Sequence, residues 1–206
     1  SLRFNNASGM ADQYHSYRWH DANPPELVKL LKAFQTADAP AFEVPGDNHP
    51  THDGSSIRDY IHVLDVCDAF IKAMLYLEQG QQGTQKINLG SKGGSSYKQL
   101  VEIAQQVSGN TQGNIRVEAS TAPAVQTLSS VKAQKLLGWE PQYTVEAIMQ
   151  SLWQAMTELQ AEAIADKAEQ LPEPEVSDSV VEDSNNGLAD KLKFWNRLEV
   201  GAKVTK

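Results

Sequence analysis

Short runs rich in β-branched and aromatic residues alternate along this sequence with apolar stripes of helical period, and most of those stripes are opened by a capping residue. That alternation constrains the chain to an α/β layer architecture. Ser96 and Gln99 stand three apart ahead of Leu100, Ile103, Ala104 and Val107, the pattern of a capping box followed by a buried helix face. Asn23 as cap, Pro24 at the first helical position and Glu26 in a capping-box position predict an earlier helix, with Leu27, Leu30, Leu31 and Phe34 as its stripe. Asp65 is read as the cap of a third helix that buries Val66, Ala69, Phe70, Ala73, Met74 and Leu77. Cys67, beside that face, reads as a small buried hydrophobe, and His62 as a residue packed under the helix. A short helix over 131–137 ends at Gly138, and a long one from Thr144 carries Val145, Ile148, Leu152, Met156 and Leu159 on one face. Strands are expected at 1–5, 41–44, 57–63, 86–89 and 115–118, with a long polar loop over 6–21.

The composition changes after about residue 160. Positions 161–186 hold eight acidic residues against one lysine, with Pro172 and Pro174, and so few large apolar side chains that burial cannot offset the ordering entropy. This segment is read as helix fading into a disordered acidic linker. In 187–206, Leu188, Leu192, Trp195 and Leu198 fall near one helical face, interleaved with Lys191, Lys193 and Arg197. A short amphipathic helix follows from that spacing. It docks back onto the domain or binds a partner, since its basic residues are few for a membrane surface.

Charge and cysteine use narrow the function classes. A net charge of −8 opposes a nucleic-acid partner, which phosphate neutralisation by clustered Lys and Arg requires. The single cysteine excludes a disulfide within the chain and fits a cytoplasmic setting. No apolar run approaches the ~20 residues that span a bilayer. The opening Ser1-Leu2-Arg3-Phe4 has no signal-peptide pattern and reads as a strand entered in mid-fold, as in a piece of something longer. Asp47, His49, His52 and Asp53 can be drawn as a metal set, but their spacing is loop-borne and lacks a helix or cysteine partner, so no metal site is assigned.

The most specific stretch is Asp53-Gly54, a short spacer, then Arg58-Asp59-Tyr60-Ile61-His62-Val63 and Asp65. It closely resembles the UDP-glucose 4-epimerases, of the extended short-chain dehydrogenase/reductase superfamily. Three further segments agree in order and spacing. Leu2-Arg3-Phe4-Asn5-Asn6 with Gly9 resembles that family's Leu-Arg-Tyr-Phe-Asn-x-x-Gly. Asn88-Leu89-Gly90 with Ser96-Tyr97, and Leu137-Gly138-Trp139 with Pro141, are similar to its Asn-Leu-Gly and Leu-Gly-Trp-x-Pro segments. The likeness covers about residues 1–160.

The resemblance implies the C-terminal part of an NAD-dependent epimerase/dehydratase fold: the last strands of a Rossmann-like sheet plus a small α/β substrate-binding domain. It also implies a UDP-sugar as ligand and NAD as cofactor. Arg58 would contact the substrate pyrophosphate, a role suited to a fixed, always-charged fork of donors. Asn6 would lie near the diphosphate, Tyr97 near the uracil, and Phe4 where the family has a tyrosine beside the nicotinamide. No catalytic residue is assigned. The sequence contains no Tyr-x-x-x-Lys and no glycine-rich fingerprint between a strand and a helix, so the chain alone is expected to be inactive, awaiting a missing N-terminal half or a homodimer partner. Its UDP-sugar affinity should be weak. The family's Arg-x-Gly-Asp is replaced here by 117–123, its Asn-Leu-x-Pro by Pro25-Glu26-Leu27-Val28, and an aromatic residue beside the uracil by Pro45. The other reading open at this point is a degenerate, non-catalytic module that binds a partner. In a blander reading Arg58 pairs with Asp59 or Asp65 on the surface.

Overall fold

Local chemistry sets most of the helix ends, and long-range strand pairing assembles them. The computed structural model describes residues 1–11, 24–80 and 83–169, with side chains as far as 161. The chain divides into two compact units, Ser1–Ala165 and Asp166–Lys206. Apart from the end of one helix, the second unit lies outside the described residues, and so do the expected linker beyond 169 and the amphipathic helix of 187–206.

In chain order the elements are β1 (Leu2–Arg3), β2 (Asn6–Ser8), α1 (Glu26–Lys32), β3 (Phe42–Pro45), β4 (Ile57–Arg58), β5 (Tyr60–His62), α2 (Val63–Glu78), β6 (Ile87–Asn88) and β7 (Ser95–Ser96). They continue with α3 (Tyr97–Ser108), β8 (Ile115–Glu118), β9 (Val125–Gln126), α4 (Val131–Leu137) and α5 (Val145–Glu169). Three parallel pairs form, β1 with β6, β2 with β5 and β3 with β8. A three-stranded sheet has β4 in the middle, antiparallel to β7 and parallel to β9. This is the mixed α/β architecture that the alternation predicted.

Strand β5 lies between two cores because successive side chains on a strand point to opposite faces. Tyr60 joins Leu27, Leu30, Leu31, Phe34, Leu100, Ile148 and Met149 in one apolar cluster. Ile61, one residue on, joins Val66, Ala69, Ile87, Leu89, Ala133 and Trp139 in the other. The predicted stripes of α1, α3 and α5 face the first cluster, with Leu27, Leu30, Leu31, Phe34, Leu100, Ile103, Ala104, Ile148, Leu152 and Met156 all buried. The capping box of Ser96 and Gln99 forms in both directions, and Gly138 closes α4 at φ 60°.

Several expectations are corrected. The polar stretch after Asn5 was expected to be loop, yet Asn6–Ser8 pairs with Tyr60–His62; no local pattern announces a strand whose partner is over fifty residues away. Asn23 lies outside the described residues, and α1 starts behind Pro25 with no side-chain cap, so Glu26 forms no capping box. Asp65 is not the cap of α2. His62 is, its Nδ1 accepting from the Leu64 N–H at 3.1 Å, while the Asp65 carboxylate accepts from the N–H groups of Gln142 and Tyr143 at 3.0 and 3.2 Å. A buried acceptor there holds the chain entering α5, which sequence spacing cannot reveal.

The predicted burial of α2 holds only for its first turns. Val66 and Ala69 are buried, but Phe70, Ile71, Met74, Leu75 and Leu77 are each more than half exposed. They form one continuous apolar face at helical spacing. Cys67 is exposed as well, correcting its expected burial. Among the described residues no helix is long and apolar enough to cross a membrane.

Candidate functional site

The Asp-Gly that opens the most specific motif has a structural reason. Gly54 has φ +81°, and a Cβ there would stand 2.6 Å from the Asp47 carbonyl oxygen. The turn delivers Asp53 to the start of α3, where its carboxylate accepts from the Ser55 N–H and hydroxyl, both at 2.8 Å, and from the Ser96 hydroxyl at 2.5 Å. Lys98 Nζ donates to the Asp53 carbonyl at 2.7 Å. Burial pushes the Asp53 carboxyl up, but the bonds from Ser96 and Ser55, with His52 beside it, hold it below its ordinary value. Among the described residues no group of three or more metal-ligating side chains is placed together.

The tied loop feeds β4, and β4 places Arg58. Its neighbours in register are Ser95 on β7 and Gln126 on β9, and Tyr97 follows β7 directly. Arg58 is buried to 8% exposure. Its Nη1 donates to the carbonyls of Ile57 at 2.9 Å and Pro123 at 3.0 Å, and the guanidinium carbon lies 5.8 Å from the Tyr97 ring centroid. The surface pairing of Arg58 with Asp59 or Asp65 does not occur. Asp59 instead accepts from the Ser91 N–H at 2.8 Å, the Ser91 hydroxyl and the Leu128 N–H at 2.9 Å. Its backbone carbonyl accepts from Asn6 Nδ2 at 3.0 Å. The glycine of Asn-Leu-Gly belongs to the same junction, since a Cβ on Gly90 would fall 1.8 Å from the Leu128 carbonyl oxygen.

These ties leave an open cavity of about 580 Å³. Phe4, Asn6, Arg58 and Tyr97, the four residues singled out from the sequence, all line it. Glu26, Asn5, Gln126, Thr127 and Leu128 complete the lining, and sequence reasoning missed them. Phe4 is the most open of the predicted four at 37% exposure. Glu26 accepts from the Tyr60 hydroxyl at 2.6 Å and the Tyr97 hydroxyl at 2.5 Å. Burial, reinforced by the Glu26 carboxylate, pushes both phenols above their ordinary range, so they stay protonated donors. A charged residue at the mouth of a helix, with tyrosines at a distance in sequence, was the available signal for Glu26. The capping-box spacing masks it.

The parallel pairs and the strand-borne arginine lining a cavity make this a partial α/β fold of the extended short-chain dehydrogenase/reductase kind. Within that class the chain belongs, over most of its described length, with the UDP-glucose 4-epimerases. It is 35% identical over 158 residues to the UDP-glucose 4-epimerase of Rhizobium meliloti, a match that covers 74% of this chain and 46% of that protein. A UDP-glucose 4-epimerase crystal structure superposes with a TM-score of 0.68 at 28% identity, over 76% of this chain and 48% of that one. A second, from Stenotrophomonas maltophila, solved with bound NAD and formylated UDP-arabinopyranose, gives 0.67 at 25% identity, over 78% and 48%. No protein-family model matches the chain. The chain thus spans about half the length of the curated relatives it matches.

Proposed function

We propose that this chain is the substrate-side part of a UDP-glucose 4-epimerase-type protein, an isomerase of nucleotide-sugar and galactose metabolism, and that alone it recognises a nucleoside diphosphate weakly without catalysing its epimerisation. The observation that carries this reading is the convergence of Phe4, Asn6, Arg58 and Tyr97 on one cavity from segments far apart in the chain. In this reading Arg58 and Asn6 face the diphosphate, Tyr97 the uracil, and Phe4 the edge where a nicotinamide ring approaches. NAD supplies hydride acceptance when it is bound, and a relative's structure contains it. The residues present here do not suffice to hold it. The Lys92-Gly93-Gly94 turn is packed against the site instead, a Cβ on Gly94 falling 2.8 Å from the Arg58 carbonyl oxygen, and the sequence contains no other glycine-rich loop of the required kind. No Tyr-x-x-x-Lys supplies a base.

The purified chain is therefore expected neither to retain NAD nor to interconvert UDP-glucose and UDP-galactose. UDP should bind at a Kd of about 100 μM or weaker, because Arg58 is the one cation in the lining among the described residues. Arg58→Ala should remove detectable binding, since the side chain also supports the Tyr97 ring and the Pro123 carbonyl. Calorimetric or NMR titration of both proteins tests this. Equal binding by the two, or measurable epimerisation by the chain with NAD added, would sink the reading.

The partner that this reading implies is the remainder of an epimerase-type fold, on the same polypeptide or another, or failing that a second copy of this chain. Two features support it. The apolar face of α2 is uncovered, and β1 and β6 form a parallel sheet of only two strands among the described residues, although parallel sheets are normally wider and covered on both faces. The isolated chain should accordingly self-associate as its concentration rises, and Phe70→Glu with Met74→Glu should return it to a monomer. Analytical ultracentrifugation decides the point. A wild-type chain that stays a monodisperse monomer with a sharp cooperative melt would count against it.

A further inference from the structure

We infer that Glu26 determines the ligand preference of the Arg58 cavity: it weakens diphosphate binding and favours an uncharged, hydroxyl-bearing ligand of nucleoside or sugar type. The inference rests on the cavity being a nucleotide-sugar site, as proposed above, and changes what that site prefers.

Among the described residues, Glu26 and Arg58 are the only charged side chains in the lining. The rest of its polar surface is uncharged, the carboxamides of Asn5, Asn6 and Gln126 and the hydroxyl of Thr127. A doubly charged phosphate group drawn to Arg58 therefore enters a space that also holds a carboxylate, and in a partly buried site that repulsion offsets much of the attraction. Glu26 cannot swing aside to relieve it. Each of its carboxylate oxygens accepts from a different tyrosine, Oε2 from Tyr60 and Oε1 from Tyr97, and both tyrosines are buried in the core. Both phenols remain protonated at any ordinary pH, so the clamp persists.

Arg58 is weakened as an anion ligand from the other side as well. The segment in which the resemblance expects a second arginine instead turns the Pro123 carbonyl onto Arg58 Nη1, and the Ile57 carbonyl takes the same nitrogen. A ligand bearing hydroxyl groups meets no such penalty. A hydroxyl can donate to the Glu26 carboxylate and accept from a carboxamide or from the guanidinium, matching donors and acceptors without bringing charge.

The test titrates uridine, UDP and inorganic pyrophosphate into the wild-type chain and into Glu26→Gln, which keeps the shape and removes the charge. The wild type should bind uridine at least as tightly as UDP. Glu26→Gln should tighten UDP and pyrophosphate about tenfold, the scale of one like charge removed from a partly buried site, and leave uridine within about twofold. Should that variant not fold, Glu26→Leu, the residue the resemblance expects here, carries the same comparison, and the wild-type preference stands as an independent measurement. A wild type that prefers UDP to uridine tenfold or more overturns the inference, as does a charge-free variant that gains nothing for either phosphate ligand. If pyrophosphate gains while UDP binds no better than pyrophosphate and uridine not at all, the weakening by Glu26 holds and the nucleotide-sugar reading beneath it fails.

Discussion

Replacing Trp139 by alanine should lower the unfolding free energy by about 3–5 kcal/mol, the usual range for emptying a large aromatic site in a closed core. Trp139 is fully buried, and it packs with Ile61, Val66, Ala69, Ile87, Leu89 and Ala133 at the point where α2, β5 and β6 meet the end of α4. Two effects combine there. The ring fills the centre of the smaller of the two apolar clusters, and its Nε1 donates to the Asp65 carbonyl at 2.9 Å. Trp139→Phe separates them, because it retains most of the volume and leaves the carbonyl without its indole donor. That variant should lose about 0.5–1.5 kcal/mol, the net range for one neutral hydrogen bond, since the carbonyl keeps its acceptor place within the helix. Urea unfolding of the three proteins measures both steps. A loss below about 1 kcal/mol for Trp139→Ala would mean that this cluster is not a cooperative part of the fold.

Asp59→Ala should be nearly as damaging, at about 3–5 kcal/mol, because it removes a buried carboxylate that takes charge-assisted bonds from Ser91 and Leu128 at once. Its second consequence lies at the cavity. The bond to the Leu128 N–H holds the strand end that carries Gln126, Thr127 and Leu128, all cavity-lining residues. Asp59→Asn should fall between wild type and alanine. One amide oxygen can still accept, but the NH₂ group then faces an N–H that needs an acceptor. Ligand binding should weaken in Asp59→Asn even under conditions where circular dichroism shows the chain folded. An Asn variant that binds as wild type does would show that the Leu128 segment needs no such anchor.

Neither Asp59 nor Glu26 was legible as a site residue in the sequence, and the reasons differ. Asp59 sits inside the most specific motif, but its partners lie 32 and 69 residues away, one just after the Asn-Leu-Gly segment and the other in a stretch with no distinguishing pattern. Glu26 fits a helix-start pattern, which hides any other role. Its tyrosines are 34 and 71 residues distant, and only the packing of α1 against β5 and α3 brings them together. Arg58, Asn6, Tyr97 and Phe4 are the residues that the resemblance names, and the structure places all four on one cavity.

What the sequence determined by itself was everything that four or five neighbouring residues can decide. Ser96 with Gln99 starts α3, Gly138 stops α4, β-branched residues over Ile115–Glu118 make β8, and helical spacing buries Leu27, Leu30 and Leu31. Those outcomes depend on hydrogen bonds and side-chain contacts within a turn or two, so the information is adjacent in the chain. The tertiary structure decided the pairing of Asn6–Ser8 with Tyr60–His62, the exchange of capping roles between Asp65 and His62, the capture of Glu26 by two tyrosines, and the exposure of α2 from Phe70 onward. In each case the same local pattern is compatible with more than one partner. An apolar stripe specifies that a face seeks burial and a carboxylate that it seeks donors, but which surface or donor answers depends on groups that folding brings in from far along the chain.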